Sequence, residues 1–333
     1  MTKIWIDLAT PKETLFFSKL IEEFKRRNYE LLLTTRKYPE TNNLIKYLGL
    51  EAIVVGAHGS TRDEKLRCAI NRLDKLYKLV QTEKPDGLIT FTNPESCRIA
   101  YGLGVPVFNF TDMPESDKVM RLTLPLSTAV FSPFFVPKEL LWKYWDGPIQ
   151  YYQCIDPVAW MPAIPKPLKE ILPNLEVKRP FIIYRSGEIR ASYYNGKDDL
   201  TQPIVDHLKS HFPDGTFYEV PRYTTHEMID MQSLLAHADL FIGGGATMNI
   251  EAAWWGTWTL ACRPVIASYD RWMEENLLQY RAYNIEGGVD IAIELLAHKS
   301  KNTRAGILWK QVFPLKNICD IIEESLNSSS ASS

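Results

Sequence analysis

The sequence has little of what marks a secreted, membrane-spanning or zinc-binding protein. Its five cysteines are scattered along 333 residues and form no C-x-x-C pair, which excludes a disulfide framework and predicts no metal site. No apolar run approaches the roughly 18 residues that a membrane span requires. The first apolar run contains Asp7, so it indicates a strand and not a signal peptide. We therefore expect a cytoplasmic protein with no transmembrane segment.

The sequence also lacks an excess of positive charge. The chain carries 38 Lys and Arg against 40 Asp and Glu, a net charge of −2, which argues against a nucleic-acid partner. Neither the G-x-x-x-x-G-K-[ST] loop of P-loop ATPases nor the G-x-S-x-G elbow of α/β-hydrolases is present. His207 and His211 have H-x-x-x-H spacing, but Leu208 stands where a zincin has its glutamate, so we expect no catalytic zinc.

The first half of the chain alternates short apolar runs with helical periodicity. The strand at 4–6 is followed by a helix over 13–27 whose apolar residues recur at helical intervals. Further strands are predicted at 30–34, 52–55, 86–91, 105–110 and 129–131. Strands that alternate with helices predict βαβ units and a mostly parallel sheet.

A proline-rich stretch at 156–180 predicts a linker, after which the alternating pattern resumes. The predicted fold class is α/β, with two Rossmann-like domains of mostly parallel sheet facing a cleft. We assign residues 1–155 to the first domain and 181–304 to the second. A C-terminal helix at 305–327 is expected to pack back across the domains, and residues 328–333 to form a disordered tail.

Residues 238–262 contain the most informative pattern, which is a strand, a glycine turn and a short helix. The apolar residues Leu240–Ile242 lead into three glycines, a helix opens near Ala246–Thr247, and Gly256 is a natural residue to follow its end. Glycines let backbone approach a ligand closely, and free N–H groups at a helix start suit a phosphate. Glu251 lies one turn after Thr247 and could accept hydrogen bonds from ribose. The alternative is that the glycines serve only tight packing and that Glu251 is solvated.

A helix start contributes only roughly 0.3–1 kcal/mol to anion binding, so a diphosphate requires a basic side chain as well. Arg185 follows the strand at 181–184 and is the first candidate, because a guanidinium can bind phosphate through two parallel hydrogen bonds. Arg190 and Arg263 are the other candidates. Each could equally be a surface arginine.

Candidate acid–base residues follow strands of the first domain, where loops face a ligand cleft. We select His58, Glu95 and Asp112 as catalytic candidates, which follow the third, fourth and fifth strands. The alternatives are a structural loop histidine and helix-capping carboxylates.

The segment Asp239–Ala253, followed by Gly256-Thr-Trp, resembles the nucleotide-sugar segment of GT-B-fold enzymes. These include glycosyltransferases of the lipid II type and UDP-N-acetylglucosamine 2-epimerases. The chain from about residue 3 to about 290 also resembles a prokaryotic family of unknown function (domain-of-unknown-function family 354) that is expected to share this fold. The matching pieces are Trp5-Ile-Asp-Leu-Ala-Thr-Pro-Lys, His58-Gly59, Lys84-Pro-Asp, Thr123-Leu-Pro-Leu and the Gly-Gly-Ala-Thr-Met segment.

The resemblance implies roles for specific residues. Gly244, Gly245, Ala246 and Thr247 would contact the donor diphosphate, Glu251 would contact the ribose, and the first domain would hold the acceptor. The glycine-rich acceptor loop usual in transferases is replaced here by Thr10-Pro11-Lys12.

The function expected from the sequence is that of a GT-B-like enzyme. Its partners would be a UDP-linked nucleotide sugar, used as substrate, and an acceptor, with no separate cofactor. We favour glycosyl transfer because epimerisation needs several acid–base groups around one sugar ring, and the sequence contains no dense cluster of them. An epimerase of the UDP-N-acetylglucosamine 2-epimerase type and a non-catalytic nucleotide-sugar binding protein are the alternatives.

Overall fold

The computed structural model describes residues 2–187, 199–221 and 229–330. The chain divides into two compact units. Unit 1 contains the residues up to Trp160 and those from Val312 onward, and unit 2 contains the described residues from Met161 to Gln311. The division after Trp160 falls within the proline-rich stretch.

Unit 1 is built on a seven-stranded sheet in the order β3-β2-β1-β4-β5-β6-β7, in which all pairs are parallel. The last strand is absent from the sequence-based prediction, because Ile-Gln-Tyr-Tyr is short and does not alternate. The strands are β1 Lys3–Leu8, β2 Glu30–Lys37, β3 Ile53–Ala57, β4 Gly87–Thr90, β5 Val107–Phe110, β6 Ala129–Pro133 and β7 Ile149–Tyr152.

Helices connect these strands, and the first lies where the periodicity at 13–27 predicts a helix. They are α1 Pro11–Arg26, α2 Pro39–Tyr47, α3 Arg62–Glu83, α4 Pro94–Gly102, α5 Asp117–Thr123 and α6 Lys138–Leu141. α1 begins where it does because Thr10 accepts a hydrogen bond from the backbone N–H of Glu13 and Pro11 occupies the first turn. Its apolar face, with Phe16 and Phe17 fully buried, packs in the core, and each such ring contributes about 1.5–3 kcal/mol.

Unit 2 contains a second parallel sheet of five strands in the order β12-β11-β10-β8-β9. Its strands are β8 Phe181–Arg185, β9 Thr216–Glu219, β10 Leu240–Gly243, β11 Trp258–Ala261 and β12 Tyr280–Arg281. Its helices within the described residues are α7 Leu168–Ile171, α8 Thr201–His211, α9 Met231–Leu235, α10 Thr247–Trp254, α11 Ser268–Glu275, α12 Ile285–Ala297 and α13 Gly306–Trp309. The two parallel sheets confirm the predicted α/β class.

Residues 271–282 have helical periodicity, which predicts one helix over the whole segment, and this prediction is wrong about where the helix ends. The helix ends at Glu275, and Tyr280–Arg281 pairs with β11 as a strand. Leu277, at φ 56°, has left-handed backbone that interrupts the helix. The strand pairing is a tertiary contact, which local periodicity does not register.

The last helix, α14 (Leu315–Ser330), belongs to unit 1 and packs against α1. Arg27, which follows α1, forms ion pairs with Asp320 and Glu323 at 2.8 and 2.5 Å. The helix includes residues 328–330, which the sequence predicts as disordered tail; Ser328 donates to the carbonyl of Glu324 (2.8 Å). No helix within the described ranges is long and apolar enough to cross a bilayer.

Candidate functional site

The glycine turn of unit 2 lies at the carboxyl end of β10, a central strand between β8 and β11. The N–H of Gly244 donates to the carbonyl of Arg185 (2.9 Å), which brings the turn onto the loop after β8. A Cβ at Gly244 would lie 2.2 Å from the backbone nitrogen of Gly187. Only glycine allows the two backbones to come this close. Gly244 therefore does serve tight packing, as the alternative interpretation of the glycines predicts.

The turn leaves consecutive backbone donors available. Among the described residues, the N–H groups from Gly245 to Met248 have no hydrogen-bond acceptor. Ala246, which precedes α10, offers no side-chain cap to them. At the positive end of the helix dipole, this arrangement suits an anion. Gly256 follows the opposite end of α10 and has a left-handed backbone, at φ +68°, as the sequence predicts for a glycine that ends a helix.

Arg185 lies beside the same turn. It is the last residue of β8, is half-buried, and its guanidinium NH1 is 3.4 Å from Sδ of Met248 in the first turn of α10. Arg263 is 3% exposed and forms an ion pair with Asp270, so a carboxylate already balances its charge. Arg190 lies outside the described residues. Arg185 is therefore the better-placed cation of the two that the structure describes.

Glu251 is buried, not solvated. Its side chain is 1% exposed, and its Oε1 accepts a hydrogen bond from Nε2 of Gln232 in α9 at 2.9 Å. The spacing from Thr247 places both residues on one face of α10. Gln232 thus orients a carboxylate one turn below the free N–H groups.

A buried polar network supports α10 and is absent from the sequence-based list of site residues. Asn249 donates to Gln279 (3.1 Å), and Gln279 donates to Asp270 (3.0 Å). Asp270 also forms ion pairs with Arg263 and Arg281. Gly243 makes room for Oδ1 of Asn249, because a Cβ there would lie 2.0 Å from that atom. Asn249 lies only two residues after Thr247, which is the signal that could have identified it.

In unit 1, charged side chains converge where β1 and β5 end. Nζ of Lys12 lies 2.5 Å from Oδ2 of Asp112 and 2.7 Å from Oδ2 of Asp156. Tyr152 donates to Oδ1 of Asp156 at 2.6 Å. Burial lowers the pKa of Lys12, but the attraction of the two carboxylates outweighs it and raises the pKa above its ordinary value. Lys12 is therefore a cation that holds Asp112.

Glu13 is a second acidic group at this edge. The sequence pattern identifies it only as part of the predicted helix. It is 4% exposed and accepts hydrogen bonds from Ala9 N–H (2.8 Å), Thr10 Oγ1 (2.9 Å) and Asn93 Nδ2 (2.9 Å). Burial raises its pKa to about 7, although the bonds from Asn93 and Ala9 oppose that rise. Its position three residues after Thr10, which suits capping, is the only sequence signal for it.

No hydrogen bond or ion pair within the described residues joins the other two catalytic candidates to Lys12 or Asp112. Glu95 is in the first turn of α4, with Oε2 4.0 Å from Arg72, whose guanidinium pairs with buried Asp7 (2.6 Å). His58 follows β3, is exposed, and packs edge-to-face on Tyr38 with ring centres 5.7 Å apart. β3 and β5 are four strand spacings apart, about 19 Å, so His58 does not join Asp112. In the part of the chain that is described, no group of His, Cys, Asp and Glu is placed to hold a metal.

The model of one family, described as protein of unknown function (DUF354), matches residues 2–327. An uncharacterized protein of Methanocaldococcus jannaschii is 29% identical over 279 residues, which cover 78% of this chain and 82% of that protein.

Comparison of structures identifies the fold. UDP-GlcNAc 2-epimerase from Neisseria meningitidis, solved with UDP-GlcNAc, has a TM-score of 0.72 at 12% identity, covering 98% of this chain and all of that one. The Methanocaldococcus jannaschii UDP-GlcNAc 2-epimerase has a TM-score of 0.70 at 16% identity, with 90% and 94% covered. Spinosyn forosaminyltransferase has a TM-score of 0.66 at 13% identity, with 98% and 99% covered. At these identities the likeness shows the GT-B fold.

Proposed function

The chain belongs to the family described as protein of unknown function (DUF354), and we propose that it is an enzyme acting on a nucleotide-activated sugar. The observation that carries the proposal is the run of N–H groups without acceptors from Gly245 to Met248, beside Arg185. Four consecutive donors and a guanidinium match the oxygen atoms of a diphosphate. A site lined only by neutral side chains would leave the negative charge of the diphosphate without a counter-charge.

The nucleotide is assigned to unit 2. The N–H groups of Gly245, Ala246 and Thr247 bind the diphosphate, and Gly244 provides the close approach of the two loops. Glu251, oriented by Gln232, accepts hydrogen bonds from the ribose hydroxyls. A hydrogen bond to a charged group contributes about 1.5–3 kcal/mol, so about three to five of them sum to the roughly 8 kcal/mol of a micromolar complex. The solved UDP-GlcNAc complex of the Neisseria epimerase supports UDP as the first nucleotide to test.

The favoured reaction is glycosyl transfer. The bond from C1 of the sugar to the diphosphate oxygen breaks, and its electron pair leaves with the diphosphate. An acceptor oxygen bonds to C1 and gives its proton to a carboxylate, for which Asp112 is the leading candidate. Asp112 suits this role because it is partly exposed, at 18%, and Lys12 holds it in place. The helix-start N–H groups and Arg185 stabilise the charge that develops on the leaving diphosphate.

Epimerisation is the second candidate, and one observation favours it. Lys12, Asp112 and Asp156 form a denser group of titratable side chains than the sequence pattern indicates. An epimerase would take a proton from a sugar carbon and return one to the opposite face, with no net release of nucleotide. Glu95 and His58 stay candidates for either reaction, although neither contacts Lys12 or Asp112.

One experiment on the purified chain and its Asp112→Asn variant tests the proposal. Thermal unfolding is measured with UDP-, GDP-, CMP- and dTDP-linked sugars, and turnover is followed by nucleotide release and by proton NMR of the sugar. A bound sugar at 100 times its Kd adds about 2.7 kcal/mol to the free energy of unfolding. We expect D112N to keep this gain but lose about 10²–10⁴-fold in turnover.

The control is Asp146→Asn, an exposed aspartate of unit 1, which should change neither quantity. Release of nucleotide identifies transfer, with water as the acceptor in this assay, and a new sugar epimer without release identifies epimerisation. A gain in stability with neither product identifies a nucleotide-sugar site without epimerase activity. A flat response to every nucleotide sugar from a folded chain rejects the proposal.

A further inference from the structure

Unit 1 leaves an apolar surface at the open edge of its sheet. β3 is the edge strand, and its Ile53 and Val54 are 47% and 56% exposed. Ile53 lies two residues before Val55, which packs with α3, so the side chains of Ile53 and Val55 lie on the face of the sheet that α3 covers, and that of Val54 lies on the other face. Exposed apolar surface beside an unpaired edge strand marks an interaction site.

α3 adds a regular stripe to this surface. The stripe consists of residues spaced by four, three and four positions: Leu66, Ile70, Leu73 and Tyr77. Leu66, Ile70 and Tyr77 are 61%, 59% and 42% exposed, and Leu73 is half-buried. This spacing is that of the a and d positions of a coiled coil, which pack against a partner helix.

The stripe is not the face by which α3 packs in its own unit. That face carries Leu76 and Val80, which are buried against the sheet. Leu79 packs in the same cluster as Ile99 of α4, and at 3.6 residues per turn it lies on the opposite flank of the helix from Leu66. The stripe therefore faces away from α4, toward the open edge.

Charges beside the stripe select its partner. Arg67 and Asp74 lie on one flank of the stripe, at equivalent heptad positions. If two copies of α3 pair antiparallel, Leu66 lies opposite Tyr77 of the second copy, and Ile70 lies opposite Leu73. Arg67 then lies beside Asp74 of the second copy, and the twofold axis repeats this contact. The stripe is thus complementary to itself in both residue spacing and charge.

We propose that the α3 stripe is the interface of a homodimer, in which two copies of α3 pack antiparallel about a twofold axis. An isologous contact of this kind requires that one patch match itself, as this one does. The inference is independent of the proposed function, because it uses neither the glycine turn nor the charged groups around Lys12.

The test is the mass in solution, measured by light scattering during size-exclusion chromatography from about 1 to 100 µM chain. We expect the wild-type chain to elute as a dimer and Ile70→Asp as a monomer with an unchanged circular dichroism spectrum. The matched control is Leu122→Asp in α5, which is 60% exposed and should stay dimeric. A wild-type chain that is monomeric throughout, or an I70D variant that stays dimeric, overturns the proposal.

A charge exchange tests the orientation of the helices. Arg67→Asp and Asp74→Arg should each raise the dissociation constant at least 10-fold, and the double variant should restore it. Within one chain, Arg67 pairs with Asp63 and Asp74 pairs with Lys78, both at 2.8 Å. The double variant leaves both of these pairs repulsive, so recovery can come only from the contact between copies. Failure to recover rejects the antiparallel pairing.

Discussion

The two sheets of this chain carry different chemical groups at their carboxyl edges. At the carboxyl edge of unit 1, Lys12, Asp112 and Asp156 are titratable side chains that pair with one another. At the carboxyl edge of unit 2, residues 245–248 present backbone N–H groups beside the guanidinium of Arg185.

The difference lies in what each kind of group can do chemically. Backbone donors have no pKa in the physiological range and cannot exchange protons, so they suit constant binding of an anion. Carboxylates and amines can accept and donate protons, so they suit chemistry. The parallel sheet supplies only the position, because loops after its strands converge at one edge.

The largest effect should follow from Gly244→Ala. A Cβ there would lie 2.2 Å from the nitrogen of Gly187, so the two loops must separate and the N–H groups move. We expect the Kd for UDP, measured by calorimetry, to rise at least about 1,000-fold, which is about 4 kcal/mol. Gly306→Ala is the control, since nothing lies within 4 Å of its Cβ. A folded G244A variant with normal affinity would exclude the turn as the nucleotide site.

A smaller effect, on the pH dependence of the free energy of unfolding, should follow from Glu13→Gln in unit 1. The folded state raises the pKa of this acid from 4.5 to about 7, so the folded chain binds the proton more tightly than the unfolded chain. Its contribution to the free energy of unfolding is therefore complete below about pH 4.5 and is lost as the pH rises to about 7. The loss is about 3 kcal/mol.

Urea unfolding between pH 4.5 and 7.5 measures this contribution. The pH-dependent decrease should be present in the wild-type chain and absent from E13Q, and Glu22→Gln, an exposed change in the same helix, should leave it intact. Identical pH profiles for wild type and E13Q would mean that the three hydrogen bonds to Glu13 keep its pKa near the ordinary value.

The smallest of these effects should follow from Arg185→Met. Methionine preserves much of the side-chain length but removes the charge, so the N–H groups alone must hold the diphosphate. We expect the Kd for UDP to rise about 10-fold, or 1.4 kcal/mol. Arg271→Met, at an exposed position of α11, is the control. Equal UDP affinities of the two variants would mean that another residue supplies the positive charge.

Much of the fold followed from local patterns in the sequence. The cap at Thr10, the glycine turn at 243–245 and the left-handed Gly256 are local, because each depends on the chemistry of a few adjacent residues. The alternation of strands and helices also identified both parallel sheets, since a buried parallel strand is apolar along its length. β12 was missed because its two residues become a strand only by pairing with β11.

The candidate site divides in the same way. The sequence alone determined the turn, the helix start and the position of Glu251, since residues within one turn of a helix have a fixed relation. Tertiary structure alone decided that Asn93 meets Glu13 across 80 positions and that Asp156 meets Lys12. Burial also raised the pKa of Glu13, which no neighbour in sequence would do. Strand order decides these contacts, and strand order is a property of the folded chain.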